Sequence, residues 1–240
     1  MQPLKYRLRA SAIHLAISLS VATLAALVVF GWWYPYPYRE LSGGRELFAL
    51  VVVVDVVLGP LITLVIFNVA KTRRHLMMDF TVIGLLQVAA LAYGLWTVFV
   101  ARPVHLVFEY HRMAVVHAVD IEPDTLTQAP SGLQQLPLRG PTLLSLRPLQ
   151  GNEAIESVML ATGGISQAAQ PHLWQPYEAA REPILQEARH ADAIDRAVAR
   201  TGRPLNELRT LPLLSRKSAW TVLIDAQSAQ PVGFVALDSF

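Results

Sequence analysis

The chain has 240 residues, 53% hydrophobic and 16% charged, with a formal net charge of +2 and no cysteine. So apolar a chain is not an ordinary water-soluble globule, and without cysteine there are neither disulfide staples nor thiol chemistry. Residues 1–100 carry eight basic and four acidic side chains, residues 101–240 twelve and fourteen. The basic excess therefore lies on the apolar part and does not form a nucleic-acid-binding patch.

Three apolar runs, about residues 13–33, 47–69 and 80–100, approach the roughly 20 residues that cross a bilayer as a helix. Residues 103–240 read as soluble sequence. The expected division is a three-helix membrane domain over 1–102 and a soluble domain over 103–240. Lys5, Arg7 and Arg9 give the first run the basic flank of a signal peptide. The run is longer than a signal peptide's apolar stretch, however, and ends in aromatic residues, Trp32-Trp33-Tyr34-Pro35-Tyr36, where a small-residue cleavage site would stand. An uncleaved anchor with an interfacial aromatic belt is expected.

Gly43-Gly44 suits a tight re-entry into the second run. Eight residues into that run stands Asp55, roughly 12 Å along a helix. A carboxyl at such depth costs about 2.5–3.5 kcal/mol on insertion scales, so it is expected to face protein. Depth matching of antiparallel helices brings Thr23 and Tyr93 beside it. Pro60 deprives the Val56 carbonyl of its usual partner, which predicts a bend, and Gly59 permits close helix approach. Asp55, Gly59 and Pro60, with Thr23, Tyr93 and Gln87, are candidates for helix packing or for docking a partner's membrane helix. A proton path is a third reading, weakened by the lack of a second ionisable group at that depth. His14 and Asn68, near the opposite edge, lie where they can meet, and Gln87 needs a partner. His14, Asn68, Gly43 and Gly44 are read as structural.

Lys71, Arg73 and Arg74 follow the second run, and Lys5, Arg7 and Arg9 precede the first. In the first loop, Arg39 and Arg45 are matched by Glu40 and Glu46. Both basic flanks fall on one side, which the positive-inside rule makes cytoplasmic. The soluble domain then lies across the membrane, which in a bacterium is the periplasm. Asp79 is expected to cap the third helix.

After Pro103 the pattern changes to strand, tight turn and strand across "VHLVFEYHRMAVVHAVDI". The proline-rich stretch 123–150 reads as loop. Residues 152–161 read as a helix stopped by Gly163-Gly164, and apolar spacing predicts a second helix over about 183–200, ended by Gly202. "AWTVLIDAQSAQPVGFVAL" reads as two strands around a polar turn. The expected class is three transmembrane α-helices followed by a soluble α+β domain with a small antiparallel sheet.

The sequence lacks a Walker A loop, a G-x-G-x-x-G, an H-E-x-x-H and a G-x-S-x-G. His105, His111 and His117 are spaced by six, which favours structural histidines over a metal site. Glu109 and His111 share one strand face, more readily as a solvated pair than as an acid–base pair. No enzyme, cofactor or metal is expected.

Several elements together resemble the type IV pilin accessory proteins of the TfpX/TfpZ kind. They are the first helix around His14, Trp33-Tyr34-Pro35, Gly43-Gly44-Arg45-Glu46-Leu47-Phe48, Asp55 with Leu58-Gly59-Pro60, and Ala101-Arg102-Pro103-Val104. The resemblance is specific over about residues 4–110 and weaker beyond. It implies a non-enzymatic inner-membrane protein that assists assembly, stability or surface display of a cognate type IV pilin. Partners would be that pilin, other pilus assembly proteins and membrane lipid, with no nucleic acid. The alternative from a different class is a membrane-anchored periplasmic sensor signalling through a partner.

Overall fold

In the computed structural model the described residues are 4–67, 72–190 and 203–237. They form two compact units: Met1–Pro35 with Gly44–Val100, and Tyr36–Gly43 with Ala101–Phe240. The protein is a membrane protein with three N-terminal helices and a soluble α+β unit. Helix one (Leu4–Trp33), helix two (Gly44–Ile66) and helix three (Arg73–Val100) are each long and apolar enough to cross a membrane. Each starts before its apolar run, because polar residues continue a helix past the hydrocarbon edge. Asp79 consequently sits in the second turn of helix three and does not cap it.

Helix two packs against both other helices. Its irregularity takes the form of a π-helical turn, Val53–Leu58, just before Gly59-Pro60. Pro60 offers no N–H to the preceding turn, and a widened turn is one way a helix accommodates that loss. Near one end of the unit, Tyr34 is fully buried with Val29, Phe48 and Val98. Its hydroxyl donates to the Val98 carbonyl at 3.1 Å. A Cβ on Gly44 would strike the Tyr34 ring, so glycine is required there for close packing. Gly43 has a φ of 72°, the left-handed region that glycine enters without strain. At the other end, Arg7 donates to the carbonyls of Phe67 (2.9 Å) and Val65 (2.5 Å), which satisfies orphan groups where helix two stops.

The soluble unit is built on an eight-stranded mixed sheet among the described residues, in the order β4-β3-β1-β2-β6-β7-β8, with β5 beside β6. The strands are β1 (Pro103–Glu109), β2 (Arg112–His117), β3 (Thr142–Leu146), β4 (Trp174–Pro176), β5 (Arg189–His190), β6 (Leu208–Leu214), β7 (Ala219–Asp225) and β8 (Pro231–Val235). The expected β1–β2 and β7–β8 hairpins are present. The expectation of a small, antiparallel sheet is corrected, since β1–β3 and β2–β6 are parallel and four further strands join. Pro212 is tolerated inside β6 because the neighbours divide its edge. β5 pairs with Arg209 and Thr210, and β2 with Leu213 and Leu214.

β1 lies centrally and is buried along its whole length, as a strand covered on both faces must be. Leu106, Phe108, Met113, Leu211, Leu213 and Val222 pack with Tyr177 and Ile184 in one cluster. Val104, Val107, Val116, Leu144, Leu146 and Trp174 pack in another. Tyr38 and Leu41, from the short helix Tyr38–Leu41, enter the first cluster. The helix Glu153–Thr162 ends at Gly163 as expected. The helix predicted over 183–200 is corrected: it spans Arg181–Glu187, after which Ala188 is extended and Arg189–His190 pairs with β6. Strand pairing overrides the apolar spacing here, and residues 191–202 lie outside the described set.

Candidate functional site

Asp55, Gly59 and Thr63 recur at intervals of four and so lie along one face of helix two. All three are buried in the membrane unit, Thr63 at 1% exposure and Asp55 at 8%. Against this face stand His14 of helix one and Gln87 of helix three. The His14 ring lies 2.6 Å (Nδ1) from the Thr63 hydroxyl and 2.5 Å (Nε2) from Gln87 Oε1. Gln87 Nε2 donates to the Asp55 main-chain carbonyl at 3.3 Å. One histidine tautomer serves the chain, with Nε2–H donating to Gln87 and Nδ1 accepting from Thr63. A Cβ on Gly59 would occupy the Gln87 amide's position. Ser11 donates to the Pro60 carbonyl at 2.8 Å. Gly59 and Pro60 therefore make their close approaches inside the unit.

Thr23 and Tyr93 do not join Asp55. The Thr23 hydroxyl donates to Leu19 of its own helix. Tyr93 is 69% exposed, with its ring beside Trp96. Depth matching fixes height but not azimuth. Nine residues separate Thr23 from His14, about 180° around a helix, and six separate Tyr93 from Gln87, about 120°. Asn68, expected to meet His14, lies outside the described residues. Sequence reasoning overlooked Thr63, whose signal was its spacing of four from Gly59.

Asp55 also borders a groove of about 460 Å³ whose walls come from helix one (Ala10 to Val21) and helix three (Phe80 to Leu91). Asp55 Oδ1 is buried and has no hydrogen-bond partner among the described residues.

In the soluble unit, His105, His111 and His117 do not converge. His105 is buried, 2.7 Å from the Thr142 hydroxyl and edge-on to Trp174. Burial pushes its pKa down to about 4. His117 is buried beside Asp120, and His111 is exposed. Glu109 and His111 form no pair: Glu109 takes Arg112 at 2.8 Å, and His111 stands 3.7 Å from Glu187. Among the described residues no group of three His, Asp or Glu could hold a metal ion. A cleft of about 490 Å³ includes Arg147, Glu153, Gln170 and His172. Arg147 grips Glu153 with two hydrogen bonds of 2.7 and 2.8 Å, which hold that carboxyl down to about 2.

The family model described as fimbrial assembly protein FimB matches residues 2–43. A fimbrial assembly protein of serogroup I from Dichelobacter nodosus is 35% identical over 229 residues, covering 90% of this chain and 89% of its own. The chain belongs to the fimbrial assembly protein family. Its serogroup E1 counterpart from the same organism is 33% identical over 229 residues, covering 90% of this chain and 89% of the relative. The protein of serogroups C1 and C2 is 40% identical over 119 residues, half of this chain and 91% of the relative. No solved structure matches. In this family member the matched N-terminal segment contains Arg7, Ser11 and His14, the helix-one side of the polar chain.

Proposed function

We propose that this protein is a non-enzymatic accessory factor for a type IV pilin, of the TfpX/TfpZ kind. It assists the assembly, stability or surface display of its cognate pilin. The observation that carries this reading is the match to fimbrial assembly proteins along nine-tenths of the chain. The resemblance of residues 4–110 to the accessory proteins points the same way.

The protein sits in the bacterial inner membrane with its N-terminus in the cytoplasm and its soluble unit in the periplasm. The basic flanks at Lys5–Arg9 and Lys71–Arg74 support that orientation. His14, Thr63, Gln87 and Gly59 hold the three helices together, and Asp55 marks the surface offered to a partner. The periplasmic unit contacts the pilin outside the membrane.

The test is deletion of the protein followed by complementation with the full chain. Surface fimbriae are expected to fall on deletion and recover on complementation, and the cognate pilin is expected to co-purify with the tagged full chain. Unchanged fimbriation together with no pilin in the purified complex would refute the reading.

A further inference from the structure

The groove between helices one and three has apolar walls, including Ile17, Val21, Phe80, Val88 and Leu91, and Asp55 of helix two at its floor. Its span from Ala10 to Val21 is about 16 Å, or three helical turns. Gly84 adds an open strip where a Cβ would meet nothing within 4 Å, so a second backbone can come close. Lipid chains match such walls in polarity.

They do not match the floor. Asp55 is more than nine-tenths buried, and its Oδ1 has no partner among the described residues. Of the polar side chains that line the groove with it, His14 and Gln87 are already engaged. Both ring nitrogens of His14 are taken by Thr63 and Gln87, and the Gln87 amide serves the Asp55 main chain, not its carboxylate. A carboxyl group buried without a donor is costly in hydrocarbon, and an acyl chain brings none to that depth. Only helices and closed barrels carry backbone through lipid.

We propose that this groove binds a single apolar membrane helix of another protein. One N–H, O–H or cationic group on that helix, at the depth of Asp55, bonds to the Asp55 carboxylate. The walls supply packing, and the donor sets register along the membrane normal and selects the partner. The inference rests on the proposed function only in naming pilin as the owner of that helix.

The test places a photo-crosslinking residue at Val21, Val88 or, outside the groove, Tyr93, in the full chain in cells. The same positions are repeated with Asp55→Leu and Asp55→Asn, and pilin co-purification is measured in parallel. The expected result is capture of one membrane protein from positions 21 and 88 and not from 93. Capture should fall about three- to tenfold with Asp55→Leu, the scale of one intramembrane hydrogen bond. Asp55→Asn keeps the shape and an acceptor oxygen, so it should retain more capture than Leu; this comparison still decides if the Leu variant folds poorly. The captured protein must carry a donor in its span. Replacing that donor by Leu should lower capture equally, with no added loss when combined with Asp55→Leu.

Capture of lipid only, of a second copy of this chain only, or capture indifferent to both Asp55 variants would overturn the inference. If pilin co-purifies but nothing is caught in the groove, the pilin reading stands and the groove inference falls. If a helix other than pilin is caught in an Asp55-dependent way, the reverse holds.

Discussion

The side-chain amide of Gln87 on helix three fills the space that a β-carbon on Gly59 of helix two would need. Glycine normally costs a helix about 1 kcal/mol relative to alanine, so Gly59→Ala in open space would stabilise. Here it must expel Gln87 and break its bonds to His14 and Asp55. Thermal unfolding in detergent should show a lower midpoint for Gly59→Ala. Gly84→Ala, with nothing within 4 Å of the new methyl, should match or exceed the parent. Equal midpoints for the two variants would refute the packing argument.

His14 and Gln87 should prove energetically coupled. In a double-mutant cycle with His14→Phe and Gln87→Leu, the coupling is expected near 0.6 kcal/mol, with about 1.7 as the upper end for intramembrane hydrogen bonds. The measurement is equilibrium unfolding of the single and double variants in the same detergent. A coupling of zero would mean that the 2.5 Å contact contributes nothing.

Acid should destabilise the soluble unit in a window set by His105. Its pKa is near 4 in the fold against 6.5 as its ordinary value, so the unfolded chain binds more protons between those limits. Stability is fully present above about pH 6.5 and lost as pH falls toward 4, by about 3 kcal/mol in all. His105→Gln should flatten that slope in a plot of midpoint against pH. Asp225, held down to about 2 by hydrogen bonds from Ser228, acts only in a lower window, from its ordinary 3.8 downward.

Tyr177→Phe should cost about 1–3 kcal/mol. The Tyr177 hydroxyl is buried and donates to the Ala229 carbonyl at 2.7 Å, so its removal leaves that carbonyl without this donor. Denaturant titration of the two proteins checks it, with an unchanged slope and a shifted midpoint expected.

Leu41→Ala should lower the stability of the soluble unit by about 2–5 kcal/mol, although residue 41 precedes helix two in the chain. Leu41 is fully buried in the cluster that contains Leu106, Leu211 and Val222. Hydrogen exchange on β1 and β6 should report the loss.

The three spans were legible because hydropathy is a local property and each run is long. The β1–β2 and β7–β8 hairpins were legible for a similar reason: strand, turn and strand are contiguous. β3 and β6 were hidden by prolines and by pairings with β1 and β2 that join distant parts of the chain in parallel. Asp55 announced itself through the cost of a carboxyl in hydrocarbon. Its proposed companions Thr23 and Tyr93 failed because helix rotation, unlike helix depth, is set by packing. His14, Gln87 and Thr63 could be joined only once rotation was known, and the widened turn at Val53–Leu58 alters the spacing on which such rotation is reckoned.

The placement of Tyr36–Gly43 within the soluble unit changes where this protein can be cut or spliced. A chimera of two family members joined at residue 102 would give one parent's Tyr38 and Leu41 to the other parent's core. A secreted fragment starting at 103 would lack both side chains and leave their seats empty. A hybrid that respects the core must carry 36–43 together with 101–240, so a segment from before helix two travels with the C-terminal half in such exchanges.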